Sequence, residues 1–300
     1  MTGMPEPPRV VAVIPAYDPG AALLDLIDDV SPQVEAVVVV DDGSRCGLDV
    51  LGEARSHGAW VIRQANGGIA AALNTGLTCA DDLGADAVLT LDQDSRLPGD
   101  YVTRAVAAWQ AAVTAGIPVG LVAAASYSGH PTPTAGRRGG FDIAFDPMQS
   151  GQLVPMATFA QVGGFDESLV IDGVDSELTV RCREHGLLPI VGPGCDLQHG
   201  QGERVAGSIA GRPLTWGGRP LMVNRHSPAR VYSMSRNGVI LTRRHLRTQP
   251  RWVLRRLAEE AKAHTLRLAL SPDRAALARA AARGMRDGLA GRTGPSSQPR

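Results

Sequence analysis

Along the first 126 residues the apolar positions form short unbroken runs rather than an alternation. Val10–Ile14, Val34–Val40, Ala59–Arg63, Ala87–Leu91 and Val119–Ala125 each read as a strand with both faces covered, the pattern of a parallel sheet. Between them Ala21–Val30, Leu48–His57, Ile69–Leu83 and Tyr101–Ala115 carry helical spacing. Strands alternating with helices predict an α/β fold: a mostly parallel, doubly wound sheet flanked by helices. In such sheets ligands bind beyond the carboxyl ends of the strands.

The alternation stops at Ser126. Residues 127–146 are rich in Gly, Pro, Thr and Arg and read as one long loop. A helix is expected over Gly173–His185, and the chain from Ser227 onward reads as helical and basic. The expected divisions are an N-terminal tail at 1–8, a first half-domain at 9–126, a second at 127–226, a basic helical extension at 227–290 and a disordered tail at 291–300.

Charge and composition remove several classes of function. The 300 residues balance 30 basic against 30 acidic side chains, which argues against nucleic acid as a partner. No run approaches the length of a membrane span, and the polar, proline-containing start lacks the apolar centre of a secretion signal, so a cytoplasmic location is expected. The four cysteines form no C-x-x-C pair, which suits a reducing compartment and leaves a Cys182–Cys195 bridge open.

Two strand ends carry carboxylates. Asp92-Gln93-Asp94 follows Ala87–Leu91, and its paired oxygen donors suit a hard divalent cation, magnesium or manganese. Read alone, such a tripeptide is more often a solvated acidic turn; the strand before it favours the metal. Asp41-Asp42-Gly43-Ser44 ends the second run and reads either as a capped turn or as a hydrogen-bonding site for a nucleoside. Asn66-Gly67-Gly68 opens the helix that contains Asn74, and reads as a tight turn or as a loop closing on a diphosphate. The dinucleotide and Walker fingerprints are absent. Five carboxylates crowd Asp166–Glu177 around the start of a helix; they suit its dipole, and one of them could serve as a base. His199 is a lone histidine, a type more often structural or simply exposed.

Taken in order, these stretches resemble the family-2 glycosyltransferases of the GT-A fold, and within them the bacterial rhamnosyltransferase branch. The matching stretches are Val13–Tyr17, Val40–Ser44, Asn66–Asn74, Leu91–Ser95, Ser150-Gly151, Gly163–Leu169, Ile171–Asp175, His199, and Ser227-Pro228 with Arg230, Tyr232, Arg236 and Asn237. The resemblance implies that Pro15, Ala16 and Tyr17 line the base pocket, and that Asp41 or Asp42, with Asp42 favoured, contacts base or ribose. It implies that Asn66, Gly68 and Asn74 close on the donor, that Asp92 holds ribose or sugar and that Asp94 holds the metal. Asp175, six residues before Arg181, matches the catalytic base; His199 joins the metal or diphosphate; Arg236 lies near donor or acceptor. The chain departs from the pattern at Gln149–Gln152, where relatives have Thr-Ser-Gly-Ser, and in lacking a tryptophan after Asp175.

The implied reaction moves a sugar, with inversion, from a nucleoside-diphosphate donor to a glycan or polyprenyl-linked acceptor. dTDP-rhamnose is the first expectation and a UDP-linked sugar the second. A sugar nucleotidyltransferase and a non-catalytic nucleotide-sugar-binding module are the alternatives. The arginines between 243 and 256, interspersed with Leu246, Trp252, Val253, Leu254 and Leu257, read either as a helix packed on the core with a solvated basic face or as peripheral contact with an anionic membrane, with Trp252 as its interfacial anchor.

Overall fold

A computed structural model describes residues 6–294 except 199, 201–203, 207, 210, 211, 214, 221, 225 and 272. The expectation for His199, those for residues 1–5, and most of the expected tail at 291–300 therefore lie outside the described residues. By its contacts the chain divides into two compact units, Met1–Glu167 with Val174–His199, and Ser168–Gly173 with Gly200–Arg300.

The first unit is built on a nine-stranded sheet. β1 (Val10–Ala16), β2 (Ala36–Asp41), β3 (Trp60–Arg63), β4 (Ala87–Thr90) and β5 (Val119–Ala123) are the expected apolar runs to within two residues at each end, β1 running on through Pro15 and Ala16 and β2 through Asp41. β1, β4 and β5 are buried along their whole length, as unbroken apolar sequence requires of inner strands. α1 (Ala22–Val30), α2 (Leu48–Ser56), α3 (Ile69–Asp82) and α4 (Tyr101–Thr114) connect them and bury Leu23, Leu26, Ile27, Leu51 and Tyr101 in the main core. Along α3 the backbone comes so close to β1 that a Cβ on Gly76 would sit 2.2 Å from Val13 Cγ1.

The stretch read as a long loop is instead four short strands. β6 (Ser126–Tyr127) pairs with β7 (His130–Pro131), and β8 (Thr134–Arg138) with β9 (Phe141–Ala144). Gly139 and Gly140 join β8 to β9 in a two-residue turn with φ of 56° and 88°, the left-handed pair that a tight hairpin needs. β8 is exposed throughout at the sheet edge, so it carries none of the apolar patterning that marks a strand in sequence. Next come β10 (Gln152–Pro155), α5 (Met156–Val162), α6 (Val174–Glu184) and β11 (Leu188–Val191).

The sheet order is β3-β2-β1-β4-β10-β5-β11-β9-β8. β1 runs parallel to β2 and β4, β2 to β3, and β5 to β11, while β10 inserts antiparallel between β4 and β5. The parallel part is thus split by one reversed strand, and that strand brings Gln149–Gly151 against the end of β4.

In the second unit α7 (Pro228–His245), α8 (Pro250–Leu270) and α9 (Arg274–Leu289) follow three short hairpin pairings. Ser227 caps α7 by accepting the Arg230 N–H, with Pro228 in the first turn. Val231, Leu277 and Ala281 form the contact between α7 and α9. All four cysteines are free thiols. Burial pushes Cys182 and Cys195 up to about 12, so both stay protonated at neutral pH. Among the described residues no helix is long and apolar enough to cross a membrane.

Candidate active site

Strand register places the polar motifs. Ala16 lies opposite Asp41, Asp41 opposite Arg63, and Val13 opposite Thr90. Tyr17, Asp42, Gln64 and Asp92 therefore emerge side by side at the carboxyl edge of the parallel strands, where α/β sheets bind ligands. The motifs that are separate in sequence prove to be bonded to one another there.

The first motif is tied to the fourth. The Gln93 side chain accepts the Tyr17 N–H (2.9 Å) and donates to the Tyr17 carbonyl (3.2 Å), fixing that backbone at both of its polar groups. Pro15 and Ala16 are buried within β1, while Tyr17 is half-exposed.

The second motif is tied to the third. Asp42 is 5 % exposed, and its carboxylate accepts from Gln64 Nε2 (2.9 Å) and from the backbone N–H groups of Gly67 and Gly68 (2.8 Å each). The Asn66 amide donates to the Asp42 carbonyl (2.8 Å) and Thr75 donates to Gln64. Asp41 is fully buried and accepts the Ser44 N–H (3.0 Å) and Arg63 Nε (2.8 Å). Burial alone would raise its carboxyl, but the hydrogen bonds from Ser44 and Arg63 outweigh it and hold the group below the usual carboxylate range. Both carboxylates thus shape the strand ends and the glycine turn.

Asn74 likewise joins two motifs. Its amide donates to the Phe165 carbonyl (2.9 Å) and to Glu167 (2.8 Å) and accepts the Phe165 N–H (2.8 Å), pinning the Gly163–Glu167 turn. Ser150 accepts the Asp92 N–H (3.0 Å) and bonds the Ser95 hydroxyl, which anchors the loop before β10 on the fourth strand end.

Asp92 is half-buried and Asp94 exposed at that end. Among the described residues no three His, Cys, Asp or Glu side chains gather as a complete metal set. Two carboxylates are nonetheless the share that magnesium commonly takes from a protein when phosphate oxygens and water complete its shell, so the donor set fits a cation held jointly with a diphosphate.

Asp175 stands in the first turn of α6, where the helix dipole favours the ionised carboxylate; the Ser176 N–H donates to it (2.8 Å). Two residues on, Glu177 is paired with Arg181 (2.6 Å), which also donates to the carbonyls of Val162 and Gly164 and so braces the preceding turn. Tyr127 of β6 lies within electrostatic range of Asp92 and Asp175. Burial pushes its hydroxyl well above the ordinary tyrosine value, and the nearby charges of Asp175 and Asp92 push it further. The Tyr127 hydroxyl donates to the Met148 carbonyl (3.1 Å). Sequence reasoning passed over Tyr127, which lies in the supposed loop, and over Gln93 and Gln64. Gln93 carried one signal, its place between the two aspartates.

Arg236 belongs to the second unit. It is 2 % exposed, and its guanidinium donates to Asn237 (3.0 Å) and to the carbonyls of Leu169 (3.2 Å) and Gly294. The Asn237 amide holds the carbonyls of Leu169, Ile171 and Asp172 (2.9, 2.7 and 2.8 Å). This buried pair clamps the segment that ends at Gly173.

With the strand-end cluster in place, comparison with known proteins is decisive. Residues 11–149 match the family described as glycosyl transferase family 2. The chain is a glycosyltransferase, similar over that stretch to family 2. The match takes in every motif from Tyr17 to Asp94 together with Tyr127, and it ends before Asp175. The glycosyltransferase is 28 % identical over 252 residues to the dTDP-rhamnosyl transferase RfbF of Shigella flexneri, covering 79 % of this chain and 81 % of that protein. Among solved structures it is similar to the mannosyltransferase PcManGT of Pyrobaculum calidifontis, solved with GDP-Man and Mn2+ (TM-score 0.56, 21 % identity, 95 % of this chain and 79 % of that one). It is also similar to GalNAc-T7, solved with UDP, GalNAc and Mn2+ (TM-score 0.53, 14 % identity, 78 % of this chain and 48 % of that one). The shared fold is GT-A: a large mixed sheet flanked by helices, with further helices at the C-terminus.

Proposed function

We propose that this glycosyltransferase moves rhamnose from dTDP-rhamnose to a hydroxyl of a glycan or polyprenyl-linked acceptor by one inverting displacement. The observation that carries the reading is the bonding of the strand-end motifs to one another, Tyr17 to Gln93 and Asp42 to the Gly67-Gly68 turn, within the stretch that matches glycosyl transferase family 2. The choice of donor is supported by the likeness to the dTDP-rhamnosyl transferase.

Asp175 takes the proton from the acceptor hydroxyl. That oxygen bonds to the anomeric carbon as the bond from this carbon to the diphosphate breaks, and dTDP leaves with the electron pair. Asp92 orients the ribose or the sugar, and Tyr17, held by Gln93, forms a wall of the base pocket. Asp41, Asp42, Asn66 and Gly68 keep the strand ends and the glycine turn in shape around the donor, and Asn74 holds the Gly163–Glu167 turn. Asp94 holds a divalent cation, with His199 added from the resemblance alone. When bound, a cation of that kind neutralises charge on the departing diphosphate. Arg236 is part of the clamp on residues 169–172.

The test is a panel of dTDP-rhamnose, UDP-galactose and GDP-mannose with manganese, followed by nucleotide release. dTDP-rhamnose should be turned over and release dTDP, and Asp175→Asn should lower transfer about 10²–10⁴-fold with donor binding kept. Pyrophosphate as the product, turnover of another donor in preference, or full activity of Asp175→Asn would each overturn the corresponding part.

A further inference from the structure

We propose that the turn between α7 and α8, with the first turns of α8, is a docking edge for the surface of an anionic lipid bilayer. From Arg230 to Arg256 the chain contains no acidic residue, although it is neutral as a whole. The structure sorts the arginines of this stretch. Arg256 is turned inward, 12 % exposed, paired with Glu260 (2.6 Å) and set over the Trp252 ring at 5.5 Å. Arg255 pairs with Glu259 (2.9 Å). Arg247 and Arg251 are exposed, and neither pairs with a carboxylate among the described residues.

Large apolar side chains stand among them. Leu246, Leu254 and Leu257 are 45 %, 62 % and 39 % exposed. Arg251, Leu254 and Leu257 follow at three-residue steps and so neighbour one another along α8, while Leu246 and Arg247 sit at the turn that leads into it. The tryptophan that the sequence offers as an anchor is not part of this edge. Trp252 is 3 % exposed and meets the His245 ring edge-on at 6.3 Å, so it fastens the start of α8 to α7.

The mixture of groups selects the occupant. A nucleic acid would satisfy Arg247 and Arg251 and leave three leucines in water. A bilayer surface meets both needs, with lipid phosphates for the guanidinium groups and the headgroup–acyl boundary for the leucines. Further along α8 the exposed residues are Ala258, Glu259, Ala261, Lys262, Ala263 and Thr265, of which Glu259 is paired with Arg255, so the stretch adds one more cation and no large apolar group. Contact of this kind is reversible and yields to salt.

The proposal is independent of the transfer reaction, and its test reads binding alone. Full-length protein is sedimented with phosphatidylcholine vesicles, with and without phosphatidylglycerol, at low and high salt. Binding should require phosphatidylglycerol and fall at high salt. Arg247→Gln with Arg251→Gln should weaken it about 30-fold, at roughly fivefold per lost charge near the surface. Leu254→Ser with Leu257→Ser should weaken it at both salt concentrations, and all variants should melt like the parent. Equal binding to neutral vesicles, no binding at low salt, unaltered binding by both double variants, displacement by nucleic acid at matched charge, or lipid-free self-association through the leucines would each overturn the proposal.

Discussion

The Asp42 carboxylate offers the sharpest separation of structural from ligand-binding roles. Sequence resemblance points it at the nucleoside, yet in the folded chain it accepts three hydrogen bonds from Gln64, Gly67 and Gly68 at 2.8–2.9 Å. Hydrogen bonds to a charged group contribute about 1.5–3 kcal/mol each and do not add fully. Asp42→Ala removes all three at once. Asn66 is exposed and Gly67 half-exposed, so water can re-pair part of what is lost. A net cost of about 3 kcal/mol follows, or roughly 6–12 °C at about 2–4 °C per kcal/mol for a domain of this size. Asp42→Asn keeps one oxygen for Gln64 and Gly67 and turns an amino group toward the Gly68 N–H. It should cost about half as much, about 1.5 kcal/mol. The assay is thermal unfolding without ligand, alongside dTDP titration. The two variants should fall in the order alanine below asparagine below parent before any nucleotide is added. A ligand-free alanine variant that melts within about 1 °C of the parent, yet no longer binds dTDP, would refute the structural role and restore a direct contact.

Three further outcomes follow from the same geometry. Asp94→Ala should weaken manganese-dependent donor binding about 10–100-fold, while binding without metal is unchanged; calorimetric titration with and without manganese separates the two. Gly76→Ala should destabilise by about 1–3 kcal/mol despite the higher helix propensity of alanine, because overpacking against Val13 outweighs it; Val13→Ala should rescue the variant in chemical denaturation. The Asp41 carboxyl is held below its unfolded value, so its contribution is present in full above the ordinary carboxylate range and is lost as pH falls through the folded value. The stability difference between the parent and Arg63→Ala, measured by urea unfolding across pH, should accordingly be largest near neutrality and shrink in acid.

The strands β1 to β5 and helices α1 to α4 were legible in the sequence almost to the residue, because buried parallel strands and amphipathic helices write their burial directly into composition. The positions of the strand-end motifs were legible for the same reason, since a carboxylate at the end of an apolar run can lie only at the sheet's carboxyl edge. β8 and β9 were not, because an exposed edge hairpin has no apolar period and announces itself only through Gly139-Gly140. The reversed β10 was equally hidden, since strand direction is a property of pairing. What the tertiary structure alone decided is which partner each polar group takes. Asp42 and Asn74 could face a ligand or the chain, and the fold turns them onto the Gly67-Gly68 and Phe165 backbones. Trp252 could face a membrane or the interior, and packing on His245 turns it inward, leaving Leu246, Leu254 and Leu257 outside. Local sequence determines that a group is polar or apolar, but its partner comes from residues tens of positions away, and only the folded chain brings those together.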